Sequence, residues 1–131
     1  MRNFRELEIW KNGIQLTKLV YELCSFLPEN EKYGIKSQIA RSAVSIPSNI
    51  AEGASRSSEN DFCRFLEIAL GSAFELETQL IIIKEQKWAK EEMINKIVEL
   101  IWSEQKMINS FQLAVRVRSK KPNTQNLIPK T

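Results

Sequence analysis

Apolar residues recur along most of this chain at intervals of three and four, the period of helices that bury one side. In residues 5–26 and the Leu27 that follows, Ile9, Leu16, Val20, Leu23 and Leu27 form one stripe, widened by Trp10, Ile14 and Tyr21. The pattern predicts a helix that stops at Leu27-Pro28, since the residue before proline is pushed out of the helical region. A second helix is predicted from just after Gly34 to Gly53 or Ala54, with Ile39, Ala43, Ile46 and Ile50 on its apolar side. Pro47 lies inside it, so a kink is expected there, and the Ala43 carbonyl needs compensation from Ser45 or from a neighbouring helix. Ser57 and Ser58 ahead of Glu59 and Asp61 supply hydroxyl caps and first-turn acids, which starts a third helix. Its core positions, Phe62, Phe65, Leu66, Ala69, Ala73, Leu76, Leu80 and Ile83, are all apolar. A second strip of Leu70, Phe74 and Ile81 either lies deep in the monomer or packs on another subunit. The fourth helix, residues 91–118, carries Ile94, Ile97, Val98, Ile101, Ile108, Phe111 and Val115, interrupted by Gln105. Four long helices with short connections predict an all-α fold, an antiparallel up-down-up-down four-helix bundle over residues 1–118. Residues 119–131, polar, proline-containing and aperiodic, are expected to be a disordered basic tail.

The polar side of the second helix has an unusual makeup. Gln38, Arg41, Ser45, Asn49, Glu52 and Arg56 share one stripe, where Lys and Glu would be ordinary for a solvated face. Small hydroxyls and amides suit close helix contact and hydrogen bonding, so the stripe points to an assembly surface; a merely exposed polar face is the alternative. On the third helix Glu77 falls between the two apolar strips, and an unpaired carboxylate there would be costly. Arg41 is its natural partner, while Glu75 could answer Arg41 or Arg56. Residues 37–83 contain arginine but no lysine, consistent with partly buried, bidentate pairs.

Composition narrows the picture further. With 131 residues, 43% of them apolar, one domain with a proper core is expected, and four Gly and four Pro argue against a turn-rich β fold. The net charge of +3 is concentrated at the end, where Arg116, Arg118, Lys120, Lys121 and Lys130 occur with no acid after Arg116. Cys24 and Cys63 sit in apolar helical patterns, where a free cysteine behaves as a small hydrophobe, so no disulfide framework is expected. The charged opening residues do not form a signal peptide, and no run reaches the roughly 20 apolar residues of a membrane span, so a cytoplasmic location is expected.

Catalytic chemistry is hard to assemble from this inventory. The chain has no histidine, and its two cysteines lie in different helices, so no metal site and no cofactor are expected. Its glycines are isolated and form no phosphate loop. Glu75 and Glu77, two apart on a helix, point to different sides and do not converge. A non-enzymatic protein is therefore expected.

The segments from Ser37 to Gly53 (SQIARSAVSIPSNIAEG) and from Phe65 to Leu80 (FLEIALGSAFELETQL) resemble the signature of the four-helix-bundle proteins encoded in 23S ribosomal RNA intervening sequences. Leu7, Trp10 and Tyr21, and Phe26-Leu27-Pro28 with Glu31, Tyr33 and Gly34, extend the likeness, which covers about residues 4–117. The resemblance implies a homopentamer of bundles arranged as a barrel around a channel. It also implies distant kinship with accessory proteins of diversity-generating retroelements, which bind nucleic acid. The family's motif positions fall here on Gln38, Arg41, Ser45, Pro47, Asn49, Glu52, Gly53, Gly71, Ser72, Glu75, Glu77 and Gln79.

Two functions follow as expectations. The first is an oligomer that binds RNA or DNA without sequence preference through phosphate contacts from Arg116, Arg118, Lys120 and Lys121, with a steep salt dependence. The second is a structural scaffold that presents its oligomer to a protein partner and does not bind nucleic acid. In both, Gln38, Arg41, Ser45, Asn49, Glu52, Glu75, Glu77 and Gln79 form the polar network of an assembly surface.

Overall fold

The computed structural model describes residues 2–120, so expectations about the segment beyond Lys120, Lys121 included, lie outside the described residues. Four helices account for nearly all of it: α1 (Glu8–Cys24), α2 (Ile35–Ala54), α3 (Glu59–Glu85) and α4 (Glu91–Lys120), with short 3-10 turns at Phe4–Glu6 and Glu29–Glu31. Successive helices are neighbours and α4 returns to α1, so the bundle is a square in cross-section with seams α1–α2, α2–α3, α3–α4 and α1–α4. Among the described residues no helix is long and apolar enough to cross a membrane.

The apolar stripes become the core. Leu16, Val20, Leu23, Ile39, Ile46, Ile50, Phe62, Leu66, Leu76, Leu80, Ile83, Ile94, Ile101 and Ile108 are fully buried. Burial of each such side chain contributes roughly 1.5–3 kcal/mol, and this term outweighs helix propensity. Ends are set locally. Ser58 caps α3 by accepting from the Asp61 amide at 3.0 Å. At its other end Lys87 takes φ 59°, and the Trp88 amide reaches back to the Ile83 carbonyl at 3.2 Å, a turn that usually employs glycine. Arg2 folds across the α2–α3 connection. Its guanidinium donates to the carbonyls of Arg56, at 2.6 Å, and Ala54, at 3.4 Å, and pairs with Glu59.

α2 runs unbroken through Pro47. The Ala43 carbonyl left without its usual amide is met from the neighbouring helix: the Thr17 hydroxyl of α1 lies 3.2 Å from it and 2.9 Å from the Gly13 carbonyl, its single proton serving either. Gly13 eases this approach, since a Cβ there would sit a tight 3.3 Å from the Pro47 ring. At the far end α4 continues as helix through Lys120, two residues past the boundary drawn from the sequence.

Candidate functional site

The polar residues picked out on α2 and α3 meet along the α2–α3 seam, largely by bonding to one another within the chain. Ser45 and Ser72 share a hydrogen bond of 2.7 Å between hydroxyls. The Asn49 amide donates to the Ser45 carbonyl and hydroxyl at 2.8 and 2.9 Å. The Ser42 hydroxyl, 2.5 Å from Glu75 Oε1 and 3.1 Å from the Gln38 carbonyl, ties the helices together a turn further along. Glu52 pairs with Arg56 at 2.9 Å on the exposed edge. Gln79 is buried at 7% exposure, and its Oε1 has no hydrogen-bond partner among the described residues. Gln38 and Arg41 remain exposed.

Two expected ion pairs do not form. Glu77 turns away from Arg41 and towards α4, where its carboxylate accepts from Trp102 Nε1 at 3.0 Å and Gln105 Nε2 at 2.7 Å. Glu75 takes the Ser42 hydroxyl, and Arg56 takes Glu52, so Arg41 has no ion pair among the described residues. The sequence pattern locates Glu77 at the border of two apolar strips, but which neighbour stands on that side depends on how the helices are arranged around α3.

Of the second strip of α3, Leu70 is partly buried against the core, whereas Phe74 and Ile81 are exposed in the single chain. Phe74 is 53% and Ile81 48% exposed, flanked on α4 by Trp102 at 50% and on α3 itself by Ile68 and Ile82. Glu77 holds the Trp102 indole in place between them. On the opposite side of the square, the outer α1–α2 groove is also apolar, lined by Trp10, Ile14, Val44, Pro47 and Ala51, with exposed Tyr21 continuing the line along α1.

The basic residues at the end of α4 are less free than their charges suggest. Arg118 pairs with Glu59 at 3.1 Å, and Arg116 lies 4.0 Å from Glu67; all four groups are at least partly exposed. With Asn60, Cys63, Arg64, Glu67, Ser119 and Lys120, Arg116 lines a polar cleft of about 510 Å³ between α3 and α4. Cys24 and Cys63 are free thiols, and burial raises the Cys24 pKa despite the opposing charge of Lys36. Among the described residues no group of three His, Cys, Asp or Glu side chains could hold a metal ion.

One residue with unusual chemistry was missed in the sequence pattern. Glu104 has no exposure in the bundle interior, and burial pushes its pKa up to about 7, against a smaller lowering by the Asn12 hydrogen bond. The signal was present: Glu104 is three residues after Ile101 and four before Ile108, squarely on the core stripe that had been drawn as interrupted at Gln105.

The family pattern described as 23S rRNA-intervening sequence protein matches residues 5–110. The chain belongs to that family. A crystal structure from Bacteroides thetaiotaomicron VPI-5482, of a protein with unknown function from the S23 ribosomal protein family, superimposes with a TM-score of 0.74 at 27% identity, over 79% of this chain and 97% of that one. No curated protein matches. The matched region takes in all of α1, α2 and α3 and most of α4, so the α2–α3 polar seam and both exposed apolar faces lie within the part that defines the family.

Proposed function

We propose that this protein is a non-enzymatic, cytoplasmic assembly module that closes into a homo-oligomeric ring, with five copies as the family resemblance implies. The observation that carries this reading is the pair of apolar faces on opposite sides of the square: Phe74, Ile81 and Trp102 on one, Ile14, Tyr21 and Val44 on the other. Large apolar patches facing water are unusual on a monomer. Two different patches on opposite sides favour head-to-tail contact, and contacts of this kind generate rings when the rotation closes. A self-matching patch would instead give a dimer.

Light scattering coupled to gel filtration tests this directly, the expected result being a single pentameric species at micromolar protein. A stable monomer would overturn it. Pairing of unlike faces has its own test. Phe74→Glu/Ile81→Glu and Ile14→Glu chains should each be monomeric, yet form a one-to-one complex when mixed, because each retains the face the other lacks. Failure of the mixture to associate would argue against opposite-face contact.

A second reading, binding of RNA or DNA, draws support from Arg116, Arg118 and Lys120 on the exposed last turns of α4, with Arg64 beside them. Glu59 and Glu67 compete for two of these cations, but exposed ion pairs are worth only about 0–1 kcal/mol and open readily for a phosphate. Repetition around a ring would multiply the field. Fluorescence anisotropy with generic RNA and duplex DNA against salt decides: binding that falls steeply with salt and is lost on removal of residues 117–131 is expected. No binding at low salt leaves the scaffold alone.

A further inference from the structure

The α1–α4 seam is the sparsest of the four, and open grooves lie along it above and below its middle. One, of about 570 Å³, is lined by Leu7, Ile9, Met107 and Phe111 among others; the second, of about 250 Å³, by Leu19, Glu22, Met93 and Lys96 among others. Between them one side chain hydrogen-bonds across the seam among the described residues. Asn12 Nδ2 donates to Glu104 Oε1 at 3.0 Å and lies 3.5 Å from the Leu100 carbonyl. Glu104 is fully buried, and its Oε2 has no hydrogen-bond partner among the described residues. Gly13 lies against the carboxylate: a Cβ there would stand 3.4 Å from Oε2 and a tight 3.3 Å from Pro47.

We propose that the Asn12–Glu104 contact is a pH-sensitive clasp, closed while the carboxyl carries its proton and released as the ionised form draws water into the α1–α4 seam. An ionised carboxylate in a dry interior with one donor and no cation is strongly unfavourable, and the two grooves flank it along the most sparsely packed seam. No charge from any packed element relieves it. On α1, Glu8 and Lys11 lie 3.6 Å apart on the surface, and Lys18 is exposed. On α2, Arg41 is exposed and Glu52 is paired with Arg56. On α3, Glu75 is bonded to Ser42, and Glu77 to Trp102 and Gln105. Glu99 and Lys106 of α4 face outward. Burial accordingly pushes the Glu104 pKa up to about 7, within the physiological range.

The test is a carbon-13 titration of the Glu104 carboxyl in the full chain, joined to hydrogen-exchange protection factors at pH 6 and pH 8. A midpoint near 7 is expected, with protection along the facing sides of α1 and α4 falling on the order of tenfold between those pH values, while α2 and α3 change little. Glu104→Gln, which keeps the shape without the charge, should abolish the pH-dependent loss. A midpoint near 4.5, a loss spread evenly over the four helices, or a loss that persists in Glu104→Gln would each overturn the proposal. If that variant does not fold, the titration and the distribution of protection in the natural chain decide by themselves.

Discussion

Along the α2–α3 seam the backbones approach so closely that a Cβ on Gly53 would lie 2.7 Å from Phe65 Cβ and 3.0 Å from the Phe62 ring, whereas the α1–α4 seam leaves grooves on both sides of one buried contact. Both seams carry polar groups, but they handle them differently. Between α2 and α3 most of the groups are short and matched to each other, as with Ser45 and Ser72, the buried Gln79 Oε1 being the exception. Between α1 and α4 a single ionisable side chain stands in the core with one of its oxygens unmatched. A matched hydroxyl pair contributes modestly at any pH, while a buried acid makes the stability of its seam depend on protons.

The largest expected effect that would sharpen this contrast is at Glu104. Its pKa is raised in the folded state, from an ordinary 4.5 to about 7. Its contribution is therefore complete below about 4.5 and is lost as pH rises to about 7, after which stability levels off. That shift corresponds to about 3 kcal/mol. Glu104→Gln should remove this pH dependence from urea unfolding midpoints measured between pH 5 and 8; an unchanged slope would place its origin elsewhere. Gly53→Ala comes next, with an expected loss of about 1–3 kcal/mol at every pH, because the clash is with Phe65 Cβ, which is fixed to its own backbone. A neutral result in the same unfolding assay would show the α2–α3 seam to be looser than its geometry.

Asn12→Ala breaks the comparison from the other side. It removes the one donor to Glu104 among the described residues, so its cost of about 1–2 kcal/mol should appear at pH 5, where the clasp is closed, and shrink at pH 8, where it is released. Equal losses at both would disconnect Asn12 from the titration. The smallest effect is at Gly71, where a Cβ would meet nothing within 4 Å. Gly71→Ala should stabilise α3 by about 0.5–1 kcal/mol. In the same variant, weakened self-association by light scattering would mark Gly71 as a point of close approach between copies.

Helix positions and core stripes were legible because burial follows a period that each segment displays by itself. Ile39, Ala43, Ile46 and Ile50 of α2, and Phe62, Phe65, Leu66, Ala69, Ala73, Leu76, Leu80 and Ile83 of α3, are buried as the spacing requires. The support for the Ala43 carbonyl opposite Pro47 was half legible: the need for a donor was plain, but Thr17 as its source was not. The partners of Glu75 and Glu77 were not legible at all. Each lies at the edge of an apolar stripe, and the side chain it meets belongs to whichever helix flanks that edge.

The sequence by itself therefore determined the number, length and inward side of the helices, the family, and the lack of histidine, since these depend on local periodicity and residue identity. Only the tertiary structure decided that Glu77 answers α4 instead of Arg41, that Arg116 and Arg118 face acids of α3, and that Glu104 is enclosed with Gly13 and Pro47 around it. The physical reason is that a helical period specifies an angle about one axis, whereas a contact requires the relative placement of two or more axes, which is set by packing of the whole core.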